Sequence, residues 1–338
     1  MLSKFAKRAT ALAIALVAAE IALRVANAPP PIPSREHASL PGGLKPIQNL
    51  TDLVQPKQRG LFRGALYETN VLGLRDRDYV VPKPKGVFRI VVAGGSTTMG
   101  SWIAEDATWA ARIEEQLNTD GPTRFEVVNT ALAGANIKSA LGRLEAFGLA
   151  YEPDLIIYGF SLTDIELGTT YRRGAVSTMP LPAGDSGSAL LDSGFFALEE
   201  FRQIREAPGT YSDEIFKNYF ENPELWKSYQ SQLDRLALIA KKRNACVLVL
   251  LQTHPLSLHI LHPYRPAYHR VAEAAQTRGM SVAQSLDLYL DEEPRTLWAS
   301  PIDLHANERS HEILTEALRR GLLALPERCW RGSPRPKL

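Results

Sequence analysis

The chain has 338 residues, enough for one large domain or two small ones, and its 45% hydrophobic and 22% charged content can build a buried core. The 39 basic residues nearly balance the 37 acidic ones, so the net charge of +2 excludes the basic footprint of a nucleic-acid binder. Two cysteines, Cys246 and Cys329, cannot supply a zinc framework, and no HExxH run occurs, so no metal is expected.

Lys4, Lys7 and Arg8 precede an apolar run from Ala9 to Ala19, the pattern of a basic n-region followed by an h-region. Continued to Ala28, the run makes a helix of about 30 Å at ~1.5 Å per residue, the thickness of a bilayer core. Glu20 and Arg24 then fall toward its outer end, where long side chains snorkel. Residues 1–28 therefore read as an uncleaved signal-anchor, with the bulk of the chain outside the cytoplasm. Residues 29–63 read as a linker. Ala28 to Ser34 (APPPIPS) is a stiff, polyproline-like spacer, and little periodicity follows up to about Gly60. Gly64 to Lys85 reads as a short β lead-in.

Phe88 to Ala93 is an apolar, β-branched run with the look of a fully buried strand. Gly94 and Gly95 end it, and Ser96 follows at once. Trp109, Ile113 and Leu117 then recur at helical spacing, with Asp106 and Thr108 available as caps. In an open parallel sheet such a turn lies at the carboxyl end of a strand, where ligands bind. The turn fits no common glycine motif. A P-loop needs a lysine where Ser101 stands, GxGxxG is absent, and the GxSxG elbow lacks its second glycine. A tight turn with an incidental serine is equally open on this stretch alone.

From here strand and helix alternate. Phe125 to Asn129 reads as a strand, followed by the turn TALAGAN and a helix carrying Leu141 and Leu144. Pro153-Asp154 opens a strand from Leu155 to Tyr158. Lys227 to Lys242 reads as a helix, Ala245 to Leu251 as a strand in which Cys246 is a buried structural thiol. A helix around Tyr268 to Arg278 leads to a short strand near Met280 to Ala283, and Glu308 to Leu323 closes as a helix. The alternation predicts a three-layer α/β/α domain on a parallel, roughly five-stranded, flavodoxin-like sheet. Ile165 to Pro223 breaks the pattern. It is too long for a plain connection and reads as a lid or binding loop, with Phe195, Phe196, Phe201, Phe216, Tyr219 and Phe220 to pack on something.

Asp303 and His305 stand two apart in SPIDLHAN, just before the last helix; the other histidines lack an aspartate at useful spacing. A serine hydroxyl is a poor nucleophile until an imidazole takes its proton, and a carboxylate must hold that imidazole in the right tautomer. Ser96, Asp303 and His305 supply those three groups.

With these residues together, the chain resembles the SGNH (GDSL-type) hydrolases, and among them the membrane-anchored bacterial members, over about Asn70 to Leu323. The family's GDSxxxG block aligns with Gly94 to Gly100, with Gly95 in place of the aspartate and Ser96 as nucleophile. The block after the strand ending in Asn129 aligns Gly134 with an oxyanion-hole glycine. The GxND block aligns with Ser161-Leu162-Thr163-Asp164, so Thr163 replaces the oxyanion asparagine. The DxxH block is shortened to Asp303-Leu304-His305, as in carbohydrate O-acetyltransferase-like branches. The resemblance implies a hydrolase domain over 64–325 with insert 165–223, and a tail over 326–338. It implies catalytic Ser96, Asp303 and His305, and an oxyanion hole from the N–H groups of Ser96 and Gly134 with Thr163, Asn136 being a substitute donor. No cofactor is implied. The expected activity is hydrolysis of an acetyl or short acyl ester on a small molecule or glycan, through a Ser96 acyl-enzyme. The alternatives are acyl transfer to a cell-surface glycan and a carbohydrate-binding module without turnover. The expected location is the inner membrane, anchored by one N-terminal helix with the domain in the periplasm.

Overall fold

A computed structural model describes residues 14–22, 47, 52–62, 65–119, 121–165, 215–256, 258, 261–290, 292–300, 303–331, 333, 335, 336 and 338; the side chains of Ser300 and Asp303 lie outside the description. The chain divides into two compact units. One comprises Met1–Gly43, Arg172–Thr210 and Ser300–Asp303; its described part is the helix over residues 14–22 and the backbone of Ser300 and Asp303. The other comprises Leu44–Tyr171, Tyr211–Ala299 and Leu304–Leu338.

The N-terminal expectation is corrected. Among the described residues no helix is long and apolar enough to cross a membrane. The single-pass anchor, and the location that rested on it, are not supported.

In the larger unit a hairpin of β1 (Arg59–Phe62) and β2 (Ala65–Glu68) precedes the main sheet. That sheet contains β3 (Val87–Gly94), β4 (Arg124–Asn129), β5 (Leu155–Phe160), β6 (Cys246–Leu251) and β7 (Ser281–Gln284). All its pairings are parallel, in the order β4-β3-β5-β6-β7. This is the flavodoxin-like order that the alternation predicts. The chain winds from β3 out to β4, then crosses back to β5, which opens a crevice at the carboxyl ends of β3 and β5. Two further short strands, β8 (Trp298–Ser300) and β9 (Asp303–Ala306), form a separate two-stranded sheet.

The helices are α1 (Ser96–Met99), α2 (Trp109–Leu117), α3 (Ile137–Ala146), α4 (Pro223–Lys242), α5 (Arg265–Gln276), α6 (Leu286–Tyr289) and α7 (Glu308–Leu323). Alternate strand residues point to opposite faces, and two cores follow. Val91, Ala93, Ile156, Tyr158 and Phe160 pack with Leu141, Leu144, Leu233, Leu236 and Val271 of α3, α4 and α5. Ile90, Val92, Ile157, Leu248 and Leu250 pack with Trp109, Ile113, Ile313, Leu314 and Leu318 of α2 and α7. The sheet is thus covered on both sides, which is why its strands read as unbroken apolar runs. Helix α4 begins four residues before the predicted start, because Asn222 caps it by accepting from Leu225 N–H and Pro223 occupies its first turn.

Residues 166–214 of the predicted insert lie outside the described residues, with Phe195, Phe196 and Phe201 among them. Its last part is described. Tyr219 is buried, donates to Leu162 O at 3.0 Å and sets its ring edge-on to Phe160, while Phe216 and Phe220 stack on each other.

The cysteine expectation is also corrected. Cys246 is no free thiol: it bonds Cys329 across 83 residues, with the Cα atoms 5.4 Å apart. The bridge ties the 326–338 segment to the start of β6. Beside it Trp330 is buried against Phe88 and Phe125, and Arg331 pairs with Asp154 at the start of β5. Closing a loop of this length removes about 4 kcal/mol of unfolded-state entropy in the chain model. Cys329→Ser is therefore expected to lower the unfolding free energy by about 2–4 kcal/mol, read from urea denaturation against the oxidised parent.

Candidate active site

Strand β3 runs into Gly94 and Gly95, and Ser96 opens α1. The turn needs its glycines because backbone and side chains close in on it. A Cβ on Gly95 would lie 2.9 Å from the Ala135 carbonyl oxygen. Any side chain there would have to push that carbonyl aside. In the paired strand, a Cβ on Gly159 would fall 2.2 Å from Thr98 Oγ1. Thr98 fills the space over β5 that a side chain there would take.

Half-buried Ser96 meets half-buried His305: Oγ and Nε2 are 2.8 Å apart, across 209 residues of sequence. His305 is carried by β9, and Asn307 fixes the following turn. Asn307 N–H donates to Leu297 O at 3.1 Å and its Nδ2 to Thr296 O at 2.7 Å, while its Oδ1 caps α7 by accepting from Ser310 N–H. A buried polar chain supports the serine turn from below. Gln252 Nε2 donates to Thr98 Oγ1 at 2.9 Å, Trp109 Nε1 donates to Gln252 Oε1 at 3.2 Å, and Trp109 N–H donates to His311 Nδ1 at 3.1 Å. Burial pushes the His311 pKa down to about 3, so the ring stays neutral and accepts. Asn129 Nδ2 donates to Thr98 O at 3.1 Å.

The loop after β4 stays against β3: Thr130 N–H donates to Val92 O and Leu132 N–H to Gly94 O. It delivers Gly134, exposed and with φ of +77°, close in sequence to the Ala135 carbonyl that faces Gly95. Asn136 is the N-cap of α3. Its Oδ1 accepts from Ser139 N–H at 3.1 Å, and Ser139 Oγ accepts from Asn136 N–H at 3.0 Å, a reciprocal capping box. Thr163 stands exposed in the turn after β5, its hydroxyl 3.3 Å from that of Ser161. Asp164 holds that turn, accepting from Ser161 N–H at 2.9 Å and from the Tyr158 hydroxyl. Burial raises the Asp164 pKa to about 7, against the two hydrogen bonds that lower it.

The structure thus brings Ser96 and His305 together. It sets Gly134 on the loop after β4 and Thr163 after β5, at the carboxyl ends of those strands. Asp303 opens β9, and its side chain lies outside the description. Sequence reasoning missed Gln252, Trp109 and Asn307 as supports of the site. The available signals were a polar residue straight after an apolar strand and an Asn just before a helix.

No family model matches the chain, and no curated protein matches it. Similar solved structures include TesA, at 16% identity and a TM-score of 0.43, covering 69% of this chain and 97% of that one. Another is the acetylxylan esterase Axe2 from Geobacillus stearothermophilus, at 15% identity and a TM-score of 0.44, covering 71% and 95%. A third is a lipolytic G-D-S-L family protein from Veillonella parvula, at 12% identity and a TM-score of 0.42, covering 70% and 100%.

The buried acid of the Thr163 turn sets a pH dependence. Its native pKa of about 7 lies above the ordinary carboxylate value, so the native state keeps a proton that the unfolded chain releases. Its contribution to stability is full below about pH 4 and is lost as the pH rises through about 7. Asp164→Asn is expected to flatten the fall in unfolding free energy across that window, measured by urea titrations at half-unit pH steps.

Proposed function

We propose that this chain is a serine ester hydrolase that works through an acyl-enzyme on Ser96. The observation that carries the reading is the 2.8 Å contact of Ser96 Oγ with His305 Nε2, at the end of a sheet strand and the mouth of its crevice. A nucleophile and its base from opposite ends of the chain meet in hydrogen-bonding geometry, which a carbohydrate-binding module has no need to build.

In the proposed reaction Ser96 Oγ attacks the ester carbonyl carbon as its proton passes to His305 Nε2. The carbonyl oxygen becomes an oxyanion, stabilised by the Ser96 and Gly134 N–H groups and the Thr163 hydroxyl. Ser96 opens a helix, where backbone N–H groups lack intrahelical partners. Asn136 is kept as a substitute donor through Nδ2, since the α3 cap uses its side-chain oxygen. His305 then returns its proton to the leaving alkoxide, and the ester bond breaks to give an acyl-Ser96. Water repeats the sequence and releases the acid. Asp303 is proposed to orient His305 from two residues away in β9. The substrate class proposed is an acetyl or short acyl ester, borne by a small molecule or a glycan, on the strength of the motif resemblance. Resolution of the same acyl-enzyme by a sugar hydroxyl would make the chain a transferase; product analysis with and without added oligosaccharide separates the two.

Labelling with a fluorophosphonate, read at the peptide level, is expected to modify Ser96. Ser96→Ala and His305→Ala are each expected to abolish turnover of p-nitrophenyl acetate with the fold intact, and the double variant to be little worse than either. Wild-type protein without Ser96-dependent turnover or labelling would remove the hydrolase reading.

Thr163→Val keeps the shape of the side chain and removes its donor. Turnover is expected to fall by about 10²–10³-fold, the usual cost of one oxyanion donor. KM should change little, because the oxyanion exists only past the ground state. A neutral result in steady-state kinetics would leave the hole to the two backbone N–H groups or to Asn136.

A further inference from the structure

Arg75 belongs to the lead-in before β3, 21 residues ahead of Ser96. It is 3% exposed and feels the charge of Glu105, but among the described residues its hydrogen bonds do not go to a carboxylate. Its guanidinium is spent instead on backbone carbonyls. One terminal nitrogen donates to Met99 O at 3.1 Å and to Gly100 O. The other donates to Leu66 O at 3.0 Å and Ile103 O at 2.7 Å. The Tyr67 ring lies 5.0 Å from the guanidinium carbon. Taking a charge out of water is costly, and here it is placed on the carboxyl end of the one-turn helix that begins with Ser96.

That helix cannot hold itself. One turn is the unfavourable nucleus of a helix, and its last carbonyls have no partners within it. The clamped residues bond straight back to the nucleophile: Gly100 N–H donates to Ser96 O at 3.0 Å and Ser101 N–H to the same oxygen at 3.2 Å. A shift at Gly100 is therefore a shift at Ser96. We propose that Arg75 is a positioning residue for Ser96: its guanidinium bridges the end of α1 to the β2 strand and to Ile103, and so keeps Ser96 Oγ in reach of His305. The inference rests on the hydrolase reading above for its kinetic consequence, and on the geometry alone for its structural one. The fork shape of the guanidinium matters, because a lysine ammonium is a point donor that cannot span four carbonyls at once.

The test uses the full chain with Arg75→Lys, and Arg75→Gln as the milder neutral variant. Three readouts are taken on each: thermal unfolding, steady-state kinetics on p-nitrophenyl acetate, and amide hydrogen exchange. The expected result is a folded protein in which kcat falls by up to about 10²-fold, the cost of a small misplacement of reacting groups, with KM within about twofold. Exchange should quicken at Gly100 and Ser101 while the β5 amides stay protected. Wild-type kcat in a folded variant, or exchange that rises evenly through the sheet, overturns the proposal. So does failure of both variants to fold, which would make Arg75 a residue of global stability. If the parent itself shows no Ser96-dependent turnover, the hydrolase reading falls, and the exchange at Gly100 and Ser101 still decides whether Arg75 holds the turn.

Discussion

The close approach of β3 and β5 under the serine turn governs the rest of the site. Thr98 sits where a side chain on Gly159 would be, and Gly95 faces the Ala135 carbonyl with no room for a Cβ. Glycine is therefore needed at Gly95 after β3 and at Gly159 next to the last residue of β5, and Ser96 opens the helix straight after Gly95. A larger residue at Gly159 would push Thr98, and Thr98 is tied to Gln252 and Asn129. The strain would pass into the turn itself, since tightly packed interiors transmit small volume changes.

Buried polar groups hold the strand ends that this arrangement needs. The Asp76 carboxyl is enclosed, accepts from Asn129 N–H at 2.7 Å and Arg77 N–H at 2.7 Å, and has its pKa pushed up to about 8 by burial. Asp164 does the same work for the turn after β5. His311 is held neutral beneath Trp109. The two carboxyls accept from backbone N–H groups and tyrosine hydroxyls, and His311 Nδ1 accepts from the Trp109 backbone N–H. Buried polar networks that are satisfied in this way favour one arrangement over its neighbours. The site thus stands on fixed loops, which is what a nucleophile and base need if they are to meet before substrate arrives.

The far end of the sheet is closed by the C-terminal segment. The Cys246–Cys329 bond, the burial of Trp330 and the Arg331–Asp154 pair fasten it to β6, β3 and β5. Asp154 also accepts from Arg89 N–H at 2.7 Å at the amino ends of the strands. The sheet is therefore braced at the end opposite the serine, and the carboxyl ends are left to carry chemistry.

Much of this was legible in the chain by itself. Apolar runs such as Leu155 to Tyr158 mark strands buried on both faces, although β5 continues to Phe160, and the 3.6-residue spacing of Ile313, Leu314, Ala317 and Leu318 marks α7 from Glu308 to Leu323. Local pattern suffices there because each element buries one continuous surface. Ser96 and His305 were also singled out as residue types, while Asp303, Gly134 and Thr163 remain expectations, the last two from the motif resemblance alone. Other features needed the fold. Nothing local to Cys246 or Cys329 shows that their Cα atoms come within 5.4 Å. The apolar N-terminal run suggested a span, yet among the described residues no helix is long and apolar enough to cross a membrane. Gln252 lies 154 residues from Thr98 and Trp109 lies 202 from His311, so only the parallel crossover order brings these partners to the serine turn. Sequence determined which residue types could do the chemistry, because reactivity belongs to the side chain. Tertiary structure alone decided that Ser96 and His305 meet, because a hydrogen bond across 209 residues is made by topology and not by local preference.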